Sequence, residues 1–136
     1  MYTKMLMNST LIPTLQPGQR HPDWVRLYEH AIEEQLPWHL GELDPDFAKE
    51  LGEEPRPKTK TLLDLGTGLG FQAKQIRDLG FQVWATDISE SAIARANAKY
   101  PEVKFMMDDV RSTQLRSRFD YLTDRGCFHV LSTDEQ

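Results

Sequence analysis

Residues 62–70 read LLDLGTGLG, an apolar run interrupted by one acid and followed by glycines at 66, 68 and 70. A short run of this kind reads as a buried strand, here TLLDLG over 61–66. Glycines at this spacing let the chain turn sharply out of the strand and let a ligand approach the main chain. Phe71 to Leu79 then carries a helical pattern, and Gly80 stops it. The alternation continues downstream. FQVWATDI (81–88) sets Phe81, Val83 and Ala85 against Gln82 and Trp84, the period of a strand. Ser89 or Ser91 opens a helix through SAIARANAKY, and Pro101 follows its end. VKFMMDDV (103–110) is a third strand, RSTQLRSR a loop, and FDYLTDRG (119–126) a fourth strand. Strands separated by short helices call for right-handed crossovers and a parallel sheet, so the expected class is α/β.

Upstream of residue 61 the pattern is different. Pro13, Pro17, Gly18 and Pro22 punctuate residues 1–22, which read as a loosely ordered arm. Residues 23–35 place Trp24, Leu27, Tyr28, Ala31 and Ile32 at helical spacing behind an Asp23 cap. LPWHLGELDP (36–45) reads as a loop, FAKELG (47–52) as a short helix, and EEPRPKTK as a charged connector. The expected organisation is an arm (1–22), a helical cap with its connector (23–60), and an α/β core (61–136).

The bulk properties narrow the function. The net charge is −5, and acids outnumber bases on both sides of residue 61. No basic stripe offers itself to a phosphate backbone, so nucleic acid is not expected as a partner. Cys127 is the only cysteine, which rules out an internal disulfide and fits a reducing cytoplasm. No stretch has the length of a membrane span or of a signal peptide's apolar core. His21, His30 and His39 have no metal-ligand spacing, and no metal is expected.

Three acids fall at expected strand ends. Asp87 ends the second strand, where a carboxylate can accept hydrogen bonds from both ribose hydroxyls; its structural alternative is a helix N-cap. Asp109 ends the third, where it can accept a hydrogen bond from an adenine amine; Asp108 beside it reads as structural. Asp64 stands two residues before the first glycine. The dinucleotide fingerprint G-x-G-x-x-G puts its last glycine three positions after the second, but here the step is two and Phe71 takes that place. Asp64 would also repel a pyrophosphate and attract an ammonium group.

The pattern D-x-G-x-G-x-G resembles motif I of the class I S-adenosylmethionine-dependent methyltransferases. The resemblance implies a Rossmann-like, doubly wound parallel sheet of strand order 3-2-1-4 with an N-terminal helical cap. Residues 62–100, the stretch FDYLTDRGCFHVL, and the Trp24, Tyr28 and LPWHLGELDP cap look like one branch: the thiopurine, tellurite-resistance and halide/thiol methyltransferase-like enzymes. Thr67 stands where that branch often has cysteine. By this resemblance Asp64, Gly66, Thr67 and Gly68 would line the methionine part of S-adenosylmethionine. Asp87 would hold the ribose, with Ile88 packed on the adenine face and Asp109 and the Val110 N–H at the adenine edge. Asp124, Arg125 and Gly126 would wall the sulfonium, and Tyr28 and Trp38 would cover the cofactor, Trp38 serving equally as an anchor for the cap.

The turn after the fourth strand reads DRGCFH, without the N-P-P-Y or D-P-P-Y pattern of amino-methylating enzymes. With the acidic charge, it points to a small-molecule acceptor, a thiol, halide or similar soft nucleophile that needs no general base. His129 is the nearby candidate base, with a backbone-bonding role as its structural alternative, and Cys127 reads as a small packing residue. The family's sheet continues past a fourth strand, so C-terminal strands are expected to be missing and the fourth strand to lie at an open edge. The chain is then a piece of a longer protein, a subunit completed by a partner or a second copy, or a non-catalytic module that binds S-adenosylmethionine or S-adenosylhomocysteine.

Overall fold

The computed structural model describes residues 15–19, 21–131 and 134. Most of the arm expected over 1–22 therefore lies outside the described residues. Four strands form one sheet: β1 (Thr61–Leu65), β2 (Gln82–Asp87), β3 (Lys104–Met107) and β4 (Tyr121–Asp124). Their order is β3-β2-β1-β4, as the resemblance implies, and every pairing is parallel, as the strand–helix alternation requires. β1 is central, and its Leu62, Leu63 and Asp64 are all buried. Such burial on both faces explains the continuous apolar run in place of an alternation. β3 and β4 are the edges, and the strands are shorter than the sequence pattern expects.

The helices are α1 (Trp24–His30), α2 (Pro45–Gly52), α3 (Phe71–Asp78) and α4 (Glu90–Lys99). Ala73 and Ile76 of α3 and Ile93 and Ala96 of α4 pack on Leu62, Val83, Ala85 and Phe105 to form the main core. The opposite face of the sheet carries Leu63, Trp84 and Leu122 in register. There Trp84 lies against the Phe119 ring at 5.5 Å and under the Lys104 ammonium at 5.0 Å, and Leu122 is 65% exposed. Among the described residues, no helix is long and apolar enough to cross a membrane.

The helix expected over 23–35 ends at His30, and residues 33–35 form a separate 3-10 turn. The cause lies on α4. Ser91, Arg95 and Lys99 recur every fourth residue and so share one helix face. Ser91 Oγ donates to the Val25 carbonyl, Arg95 Nη1 donates to the Tyr28 and Ala31 carbonyls at 2.8 Å each, and Lys99 Nζ pairs with Glu33 at 2.6 Å. Arg95 thus satisfies carbonyls at the end of α1 and ends the helix there. Ser89 also donates to the Trp24 carbonyl, at 3.2 Å. A second core under this cap contains Leu27, Tyr28, Leu36, Leu69 and Ala92, with Trp24 and Trp38 against it.

Gly70 opens α3 with φ +86°, and a Cβ there would lie 2.4 Å from Phe105 Cζ. Gly70→Ala combines a left-handed backbone with a clash against the Phe105 core ring of β3. It is expected to lower the unfolding free energy by about 2–4 kcal/mol, read from the midpoint of a urea titration. A change below about 0.5 kcal/mol, the range of neutral surface substitutions, would contradict this packing.

Candidate functional site

The parallel register sets Leu65 beside Thr86 and Asp124, so the ends of β1, β2 and β4 open at the same edge of the sheet. The glycine turn leaves β1 at that edge. Thr67 N–H donates to the Thr86 carbonyl at 2.9 Å, and the Thr67 carbonyl accepts from Gly70 N–H at 3.0 Å, which closes the turn into α3. Asp87 holds the turn from the other side. One carboxylate oxygen accepts Gly68 N–H at 2.9 Å and the other accepts Ser89 N–H at 2.9 Å. The N-cap of α4 is Ser89, whose Oγ accepts from Ala92 N–H. Asp87 is therefore not the helix cap that its position also allowed.

Asp64 sits beneath the turn, 3% exposed, and accepts a hydrogen bond from Thr123 Oγ1 at 2.7 Å. Burial pushes its carboxyl up to about 6, against the pull of the Thr123 hydroxyl, and the charges of Asp124 and Asp87 add to the rise. Burial also raises Asp87, partly offset by the N–H donors of Ser89, Gly68 and Ile88. The site thus concentrates negative charge in a poorly solvated place, which favours a cationic ligand group.

The cap closes over the turn. Tyr28 is buried, and a Cβ on Gly68 would lie 2.9 Å from its hydroxyl; with φ +57°, this position accepts only glycine without strain. Burial and the nearby Asp87 carboxylate push the Tyr28 phenol well above its usual range, so it remains a neutral hydroxyl. Trp24, Tyr28 and Trp38 form an aromatic cluster with centroids 6.3–6.4 Å apart. Trp38 is therefore anchored in the cap and also lines the pocket with Tyr28, Asp64, Gly66, Thr67 and Gly68. On the far side Cys127 packs on Gly66, and burial with the surrounding carboxylates pushes its thiol up to about 11.

Of the remaining expected residues, Arg125 lines this pocket, and several of the others have partners of their own. Asp124 accepts Cys127 N–H at 2.7 Å and Phe128 N–H at 3.0 Å, which shapes the wall after β4 around Gly126. Arg125 turns toward the cap and pairs with Asp44 at 2.8 Å. Ile88 is 43% exposed just past β2. β3 stops at Met107. Asp108 is taken by Thr113 and by Gln114 N–H, and Asp109 caps a 3-10 turn (Val110–Ser112) and pairs with Arg111 at 2.7 Å. His129 lies in the turn Phe128–Val130, and its side chain is outside the described residues. The pocket also includes His39, Phe71 and Gln72, which sequence reasoning did not select as site residues. His39 and Phe71 meet edge to face at 4.9 Å. The only sequence signal for them was adjacency, His39 to Trp38 and Phe71 to the last glycine.

Residues 62–136 match the family model described as a methyltransferase domain. An uncharacterized methyltransferase of Schizosaccharomyces pombe is 32% identical over 83 residues, which is 57% of this chain and 57% of that protein. The chain therefore spans little more than half the length of this relative. Among solved structures, a TehB-like SAM-dependent methyltransferase from Corynebacterium glutamicum aligns with TM-score 0.56 and 26% identity, covering 62% of this chain and 46% of that one. A structure described for the conversion of a disulfide bond into a thioacetal group during echinomycin biosynthesis aligns with TM-score 0.61 and 28% identity, covering 72% and 41%. The glycine turn, its flanking acids and the matched span place this chain in the methyltransferase domain family, of the class I S-adenosylmethionine-dependent type.

Proposed function

We propose that this chain is the cofactor-binding part of a methyltransferase that uses S-adenosylmethionine to methylate a small soft nucleophile, a thiol or halide, in the manner of the thiopurine, tellurite-resistance and halide/thiol branch. The observation that carries the reading is the turn Gly66–Gly68 held between two carboxylates, Asp64 buried below it and Asp87 bonded to its Gly68 N–H. A buried carboxylate suits an ammonium group, and a carboxylate at the end of β2 suits a pair of ribose hydroxyls. The likeness to a TehB-like enzyme and to a protein associated with a reaction at sulfur supports a soft acceptor.

In this reading Asp64 faces the methionine ammonium and Asp87 holds the ribose. Ile88 packs against the adenine, whose edge meets Asp109 and the Val110 N–H. Tyr28 and Trp38 shield the ligand from water, and Asp124 with Gly126 shapes the wall beside the reacting centre. S-adenosylmethionine, when bound, supplies a methyl group already activated by a sulfonium charge, so alignment and exclusion of water are what the protein must add. The mild acidity of the chain goes with a small-molecule acceptor in the cytoplasm rather than with nucleic acid. Because the chain spans part of its relatives, the acceptor pocket draws on the rest of a longer protein or on a partner; the other reading is a module that binds the cofactor without catalysis.

Incubation with S-adenosylmethionine and a panel of thiols, halides and phenols is expected to yield S-adenosylhomocysteine with a thiol or halide. Asp87→Ala is expected to weaken S-adenosylhomocysteine binding about 100-fold, the loss of two charge-assisted hydrogen bonds. Unchanged affinity would remove the ribose assignment, and no transfer to any acceptor would leave the binding module. Affinity also carries a pH signature. Only ionised Asp64 attracts an ammonium group, so binding should strengthen about tenfold between pH 5 and pH 7 as a carboxyl near 6 ionises. Asp64→Asn should bind weakly with no such slope. Without ligand the sign reverses. Folded Asp64 keeps a proton that the unfolded chain releases near pH 4, so stability should fall from about pH 4 to pH 6 and then level off.

A further inference from the structure

The resemblance puts Arg125 in the wall beside a sulfonium, where its charge would oppose that of the ligand. The structure turns it elsewhere. Arg125 Nε donates to Asp44 Oδ2 at 2.8 Å, and Nη1 donates to the Trp38 carbonyl at 2.6 Å. The other oxygen of Asp44 caps α2 by accepting Asp46 N–H at 2.9 Å. From the first turn of α3, Gln72 grips the same loop: its Oε1 accepts Asp44 N–H at 2.8 Å, and its Nε2 donates to the Glu42 carbonyl at 2.8 Å. The loop between Trp38 and Asp44 is therefore held by one side chain from behind β4 and another from behind β1. Arg125, Gln72, Trp38 and Tyr28 all line the same pocket. With the cap in this position the space beneath it is about 60 Å³.

We infer that Arg125 is a positioning residue that acts through Trp38. With Asp44 it forms a clamp that sets Trp38 over the glycine turn and holds the cap in place against a nucleoside-sulfonium ligand. This rests on the cofactor reading above and assigns Arg125 a role apart from ligand contact. Three features support a clamp rather than a surface ion pair. The guanidinium joins a carboxylate and a main-chain carbonyl at once, which fixes loop geometry. Both charged partners are mostly buried, at 27% and 18% side-chain exposure. Trp38 in turn contacts Tyr28, which packs on Gly68, so loop position is transmitted to the turn through packed rings.

Stopped-flow tryptophan fluorescence with S-adenosylhomocysteine tests the clamp. Arg125→Ala is expected to raise the dissociation rate about tenfold, the size of one lost charge-assisted bond. Asp44→Asn keeps an oxygen to cap α2 and removes the charge, and should raise the rate less. In the double variant the two effects should fail to add, because both break one interaction. Additive effects, or an unchanged dissociation rate in Arg125→Ala, would overturn the clamp. If the parent protein does not bind S-adenosylhomocysteine, the cofactor reading fails, and amide hydrogen exchange still decides the clamp. Faster exchange at 38–44 in Arg125→Ala would support it, and identical exchange would contradict it.

Discussion

A single carboxylate ties the halves of this site together. Asp87 accepts the N–H of Gly68 from the turn after β1 and the N–H of Ser89 from the start of α4. It thereby fixes the glycine turn relative to the helix that carries the cap. The parallel register of β1 and β2 makes this possible, because Leu65 pairs with Thr86 and leaves Asp87 one residue farther out, beside the turn. Once the turn is fixed, Gly70 admits the Phe105 ring, Gly68 the Tyr28 hydroxyl and Gly66 the Cys127 side chain. A core strand, the cap and the wall after β4 thus each reach the turn at a position where a side chain would block them.

Charge adds the chemical character. Asp64 lies buried below the turn, Asp87 beside it and Asp124 on the wall, while Arg125, the cation of the pocket lining, is matched by Asp44. A buried acid whose carboxyl is raised to about 6 by desolvation gains by pairing with a cation, because pairing relieves the cost of burying its charge. This electrostatic setting separates a sulfonium and ammonium ligand from a pyrophosphate, and it agrees with the two-residue glycine steps.

The sheet and the place of Asp87 at the end of β2 were legible in the sequence because they rest on local signals. The apolar run before Gly66, the alternation through Val83 and Ala85, and Ser89 before a helix each show within a few residues, and the strand order is the one the family resemblance implies. What was not legible depends on side chains that reach across the chain. α1 ends at His30 because Arg95, 64 residues past Ala31, takes its last carbonyls. Arg125 faces Trp38 and Asp44, 87 and 81 residues away, and no local pattern announces that contact. Asp109 sits where the third strand was expected to end, but β3 stops at Met107 and a short turn brings Arg111 onto its carboxylate. The Ser91, Arg95 and Lys99 stripe was visible in retrospect as a four-residue polar repeat on α4, but its partners were not.

The roles of Asp64, Asp87 and the cap all depend on which ligand the glycine turn accepts. Isothermal titration calorimetry of the purified chain against S-adenosylhomocysteine and, separately, NAD tests it most directly. Saturable one-site binding of S-adenosylhomocysteine with no heat from NAD is the predicted result. Saturable binding of NAD with none of S-adenosylhomocysteine would contradict the account.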